Sequence, residues 1–194
     1  LMDVAKKTHI RIELPPGREI QLDYGSMGLM TVDGQNRTIH AFCAILAHSR
    51  KPFVHLVTSQ HEQSFAESVV EMLHFYGGVP EFLTVDNLKA AVVKPDLWDP
   101  QLNRSLAEVS EYYGTFINAA RVATPTDKGK VERIVPVVRE AYRVLRNVHP
   151  TASLTEMNQH MLEWCVDDYG TTPHGTTHIP PEEAFITERN ALKS

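Results

Sequence analysis

The sequence holds only two cysteines in 194 residues, Cys43 and Cys165, far apart and each in apolar surroundings. That scarcity argues against a disulfide-stapled scaffold and leaves no CxxC pair for a structural zinc module, and it fits a reduced, cytoplasmic protein. No apolar run approaches the roughly 20 residues that span a bilayer. The opening stretch "LMDVAKKTHIRIELPPG" lacks the apolar centre of a signal peptide, so no membrane partner is expected. There is no G-x-S-x-G elbow and no P-loop, which removes the usual serine-hydrolase and nucleotide-cradling readings. Positive charge is also short. Lys and Arg number 19 against 24 Asp and Glu, a net charge of −5 that speaks against a surface coated throughout in nucleic acid.

What remains is an ordinary globular composition, 42% hydrophobic and 22% charged, long enough for one domain with a substantial core. No repeat, linker or low-complexity segment divides it, and a start on Leu1 suggests a fragment of a longer chain. The charge is uneven. Residues 121–146 carry seven basic side chains and three acidic ones, whereas 151–194 carry two basic and seven acidic. A basic stripe therefore survives within an acidic chain, either as a solvated helix face or as a polyanion contact.

Periodicity supplies the elements. Arg18 to Asp23 alternates as a strand, Asp33-Gly34 marks a turn, and "TIHAFCAILA" and "FVHLVTS" are β-rich, which together predict an antiparallel meander. Phe65, Val69, Met72, Leu73 and Tyr76 then recur at helical spacing, with Ser59 and Glu62 as a possible capping box and Gly77-Gly78 as the stop. "EFLTV" and "TFINAARV" are further strands around a helix over Arg104 to Tyr113. A helix is expected from near Asp127 into the 140s, another over Leu154 to Tyr169, and a loop-like tail after it. The result is an α/β fold: a mixed five-stranded sheet, an antiparallel meander plus strands reached by helical crossovers, flanked by helices.

Three carboxylates stand at telling places. Asp23 and Asp86 end the first and fourth predicted strands, and Glu132 lies in the first turns of the basic helix. Ligand sites of open α/β sheets collect at strand ends. Converging carboxylates repel unless a cation sits among them, and hard divalent ions take oxygen ligands. Taken singly, each acid could equally be a surface or capping residue. Pro136 stands four residues after Glu132, where its ring opposes the Glu132 carbonyl, so a bend or interruption of the helix is expected there. His174 and His178 have H-x3-H spacing but no accompanying CxxC and no helix, a weak pattern for zinc.

The flanks of the three acids are specific. "QLDYG", "TVDNLKAAV" and "PTDKGKVER" resemble the three motifs of DDE transposases and retroviral-type integrases, most closely IstA-type transposases of bacterial insertion sequences. The resemblance spans Ile20 to Phe185 and includes "DDYGTTPHGTTHIPPEEAF", similar to the ending of many integrase-like cores. There are 62 residues between the first two acids and 45 between the last two, the latter lengthened by "VVKPDLWDPQLNR". The resemblance implies an RNase H-like fold and one integrase-like catalytic core over 1–194, with the core proper at about 18–150 and a C-terminal helix and tail at 151–194. It implies a polynucleotidyl transferase that cleaves a 3′ end and joins strands, with Asp23, Asp86 and Glu132 as catalytic ligands of two Mg²⁺ or Mn²⁺ ions. Lys89, Lys128, Lys130 and Arg133 are then the candidate DNA contacts, and Asn87 a helix cap or a neighbour of the metal. The implied partners are transposon-end and target DNA, an AAA+ ATPase helper and further copies of the chain assembled on DNA in the bacterial cytoplasm. A structure-specific nuclease on the same fold, or an inactive DNA-binding or assembly module, are the alternatives.

Overall fold

A computed structural model describes residues 13–85, 100–119 and 130–194. Strands β1 (Glu19–Val32), β2 (Gln35–Leu46) and β3 (Pro52–Val57) form the expected antiparallel meander. The β1–β2 turn has Asp33 at φ 51° and Gly34 at φ 75°, the paired positive angles that match a tight hairpin to strand twist. Helix α1 (Glu62–Tyr76) follows, closed by Gly77 at φ 68°. β4 (Phe82–Val85), α2 (Pro100–Tyr113) and β5 (Phe116–Ala119) then add two parallel strands beside β1, giving the order β3-β2-β1-β4-β5. α3 (Val131–Val148), α4 (Leu154–Glu163) and α5 (Pro181–Arg189) complete the chain.

Alternation along the strands builds two cores. Ile20, Leu22, Phe42, Ala44 and Leu46 face α1 with its Phe65, Val69, Met72 and Tyr76. Met27, Met30, Ile39, Ala41, Cys43 and Ile45 face α3 and α4 through Val131, Ile134, Val135, Val138 and Met157. Because both faces of β2 are covered, it reads as a continuous apolar run. Both cysteines are buried as thiols.

Four details depart from the sequence reading. β1 does not end at Asp23 but continues to Val32. The small residues after it are absorbed by a bulge between Ser26 and Gly28, with Gly28 at φ 90°, rather than ending the strand. Ser59 and Glu62 do not form a capping box: α1 begins after His61, and the Ser59 hydroxyl accepts from the His61 N–H at 3.1 Å. The box is at Ser153 and Glu156, which caps α4. The stretch 154–169 is not one α-helix, since α4 gives way to a π-helical turn over Trp164–Asp168 in which the Tyr169 N–H reaches the Trp164 carbonyl at 2.9 Å. The tail is not all loop. "PPEEAF" opens α5, with a proline in its first turn followed by Glu182 and Glu183, the residues that suit the positive end of a helix.

α5 is fixed by a buried carboxylate. Glu188 accepts from the Gly17 N–H at 3.2 Å and the Ser49 N–H at 2.7 Å. Lys51 pairs with Glu182 and lies over the Phe185 ring, 4.6 Å from its centre.

Candidate active site

The site is organised by the way α3 lies along β1. The buried Gln21 side chain accepts the Val131 N–H at 3.3 Å, at the first turn of α3. Gly25 comes next: a Cβ there would sit 2.6 Å from Val135 Cγ1, so the helix touches the strand where glycine leaves room. Farther along, Arg139 Nε donates to the Ser26 carbonyl at 3.1 Å, and the Tyr142 hydroxyl lies 3.8 Å from Met30 Sδ.

Asp23 sits midway between the first two contacts. With a side-chain period of two and the bulge placed beyond it, it shares the face of Gln21 and Gly25 and turns toward α3. It is half-buried, its Oδ1 accepts the Tyr24 N–H at 2.8 Å, and Cys43 stands opposite on β2. Burial pushes the Cys43 thiol well up, and the Asp23 carboxylate adds to the shift, so that sulfur is a neutral packing group rather than a nucleophile. Asp23 thus stands inside β1, directly after Leu22, which pairs with Val85 of β4. Val85 immediately precedes Asp86 in the chain, and Asp86, Asn87, Lys89 and Lys128 lie outside the described residues.

Glu132 is exposed in the first turn of α3, one residue after the Val131 that Gln21 holds. At about 100° per residue, Glu132 shares a flank of α3 with Arg139, seven positions on, which contacts β1. Lys130 and Arg133 fall on the opposite flank. Together with Ile134, Val137 and Arg50 they line a cavity of about 450 Å³ that the loop at 172–176 borders. The structure therefore places two residues of the basic stripe, Lys130 and Arg133, on a cavity shared with Arg50, on a different side of α3 from Arg139 and Glu132. His174 lines the same cavity, and its ring nitrogen accepts the Thr176 N–H at 3.2 Å.

Pro136 does not interrupt α3, which runs unbroken from Val131 to Val148. Pro136 is exposed on α3, and with no N–H it cannot donate to the Glu132 carbonyl.

Gln21, Gly25 and Arg50 were not among the residues singled out from sequence. The alternation in "QLDYG" could have indicated the first two, since it sets Gln21, Asp23 and Gly25 on one face. Nothing in the sequence around Arg50 marks it beyond its charge.

Among the described residues no three ligand-type side chains form a metal-binding group. The two described acids nevertheless suit a hard cation: both offer carboxylate oxygens, one from a strand paired on β2, the other from a helix pinned to that strand.

This topology, with β4 and β5 parallel to β1 beside the meander, is an RNase H-like fold, as in integrase catalytic cores. The HTLV-2 integrase catalytic core solved in complex with magnesium superposes with a TM-score of 0.64 at 12% identity, covering 90% of this chain and 99% of that one. The BIV integrase core gives 0.59 at 11%, covering 90% and 97%. No family model matches the chain. Its curated relatives are transposases of insertion sequences, the IS21 type among them. A Mycobacterium tuberculosis protein described by inference as a transposase is 37% identical over 156 residues, 79% of this chain and 37% of the relative. The transposase of insertion sequence element IS21 from Pseudomonas aeruginosa is 28% identical over 192 residues, 99% of this chain and 48% of the relative. The chain thus spans about a quarter to a half of the relatives it matches.

Proposed function

We propose that this chain is the catalytic core of a DNA transposase that cleaves a DNA 3′ end and joins it to target DNA at a site formed by Asp23, Asp86 and Glu132. The observation that carries the reading is the seam between β1 and α3. Gln21 and Gly25 dock the first turns of α3 onto the strand segment that bears Asp23, which supports a shared site for Asp23 and Glu132. Relatives named as insertion-sequence transposases, and a magnesium-bound integrase core of the same fold, support it.

In this reading the three carboxylates hold two Mg²⁺ or Mn²⁺ ions, which when bound activate the attacking oxygen and neutralise charge on the leaving one. Asp23 contributes from a strand whose position is set by the β2 ladder. Glu132 contributes from a helix that cannot slide without breaking the Gln21 bond. Lys89 and Lys128 neutralise DNA phosphates beside the acids, and Asn87 caps the segment after Asp86. Cleavage by water comes first, and the freed 3′-OH then attacks a target phosphodiester in line. Copies of the chain assemble on DNA, and an AAA+ ATPase acts as helper.

Asp23→Asn, Asp86→Asn and Glu132→Gln are expected to abolish Mn²⁺-dependent cleavage of a transposon-end duplex without unfolding the protein. A folded variant that keeps near-normal activity would remove its residue from the site. Joining of a pre-cut 3′ end to a second duplex distinguishes the transferase from a nuclease on the same fold.

A further inference from the structure

The cavity on the other flank of α3 holds a charge the proposed reaction does not use. Arg50 lies at the β2–β3 turn with its side chain only 4% exposed. Its Nη2 is 2.7 Å from a carboxylate oxygen of Glu13, while its Nη1 is buried with no hydrogen-bond partner among the described residues. A buried guanidinium with an unmatched donor is costly to keep unless an acceptor reaches it. Glu13, its counter-ion, is half-exposed at 50% and sits at the rim of the cavity. Lys130 and Arg133 line the same space at the start of α3, where the helix dipole adds positive potential. Arg50, Lys130 and Arg133 thus line one space with Glu13, a carboxylate that solvent can draw away.

We infer that this cavity is a second anion seat, built for a phosphodiester of a DNA strand, in which the guanidinium fork of Arg50 takes the phosphate and Glu13 holds that place until DNA arrives. The inference rests on the proposed role of the chain as a DNA transferase, and it adds Arg50 to the DNA contacts, with Glu13 as the counter-ion that DNA displaces. A planar fork flanked by a lysine and a second arginine matches the tetrahedral, bidentate acceptors of a phosphate. Lys130 and Arg133, which face away from Glu132, gain a reason for their position. A strand lying here runs beside the β1–α3 seam rather than through it.

The test is duplex binding by the full 194-residue chain in EDTA, read by fluorescence anisotropy across a salt series. Glu13→Gln should tighten binding about two- to fivefold, the equivalent of a partly exposed ion pair that no longer has to be broken. Arg50→Gln should weaken binding and flatten the plot of log affinity against log salt by roughly 0.9, one phosphate contact. If Arg50→Gln fails to fold by circular dichroism, Glu13→Gln decides alone. An unchanged affinity in Glu13→Gln overturns the inference. So does a gain seen with inorganic phosphate or polyglutamate but not with duplex, since the seat would then serve a free anion or an acidic protein. These outcomes are separate from failure of the proposed function, which would appear as no DNA binding by the unaltered chain or no metal-dependent cleavage.

Discussion

Gly25→Ala is the substitution that the β1–α3 seam makes most informative. An added Cβ would stand 2.6 Å from Val135 Cγ1 and 3.0 Å from Met27 Cε, against 3.4–4 Å for ordinary contact. Met27 ends in a flexible methyl that can swing aside. Val135 cannot, because a β-branched side chain in a helix has essentially one rotamer. Relief must therefore come from α3 moving off the strand by roughly 0.8 Å, the shortfall between the two distances. Overpacking of this kind costs about 1–3 kcal/mol, or roughly 2–12 °C in Tm for a chain of this size. The displacement carries Glu132, three residues before Val135, and a misplacement near 1 Å can lower a rate by around 10²-fold. The assay is Mn²⁺-dependent cleavage and thermal melting on one preparation, together with Val135→Ala and the double variant. The double variant removes the obstructing methyl, so most of the lost activity should return and the two changes should couple strongly. Normal activity and Tm in Gly25→Ala would refute the idea that this contact sets Glu132. A double variant no better than Gly25→Ala alone would do the same.

Other outcomes follow from single contacts. Glu188→Gln should lower stability by about 1–3 kcal/mol, because an amide can accept from only one of the Gly17 and Ser49 N–H groups and turns a donor toward the other; chemical denaturation measures it. Burial lowers the pKa of His55 and of His40 from the ordinary 6.5. The unfolded chain then binds more protons once the pH falls below about 6.5, so Tm should be level above that pH and drop below it; His55→Gln should reduce the drop. Pro136→Ala should restore a donor to the Glu132 carbonyl and stabilise α3 by up to about 3 kcal/mol, while redrawing the turn that presents Glu132 and slowing cleavage; higher stability with undiminished activity would show the proline to be incidental.

Much of the fold was legible because both periods were strong. The meander and α1 with its glycine stop follow from alternation, helical spacing and turn residues. The failures have local causes. Gly25, Ser26 and Gly28 look like the end of a strand, yet a bulge and a close-packed helix require small residues inside one. Ser59 followed three residues later by Glu62 has the spacing of a capping box, but the chain turned at His61 and used the same chemistry at Ser153 instead. α5 lies in a tail whose Pro, Gly and Thr content looks loop-like, although a proline in the first turn favours a helix start. For the proposed site, the flanks of Asp23 and Glu132 marked them as candidates, and the structure places Asp23 in β1 and Glu132 in the first turn of the α3 that packs on it. The split of the basic stripe was not readable, since which flank of a helix meets the strand depends on Gln21 and Gly25, residues without charge.

The most direct test is a crystal structure of the chain soaked in Mn²⁺, with the ion located by its anomalous signal. The account predicts metal density held by carboxylate oxygens of Asp23, Asp86 and Glu132 together, at the short distances of direct oxygen ligation, about 2.0–2.2 Å. Saturating Mn²⁺ with no ion at the β1–α3 seam, or an ion bound there without Glu132, would contradict it.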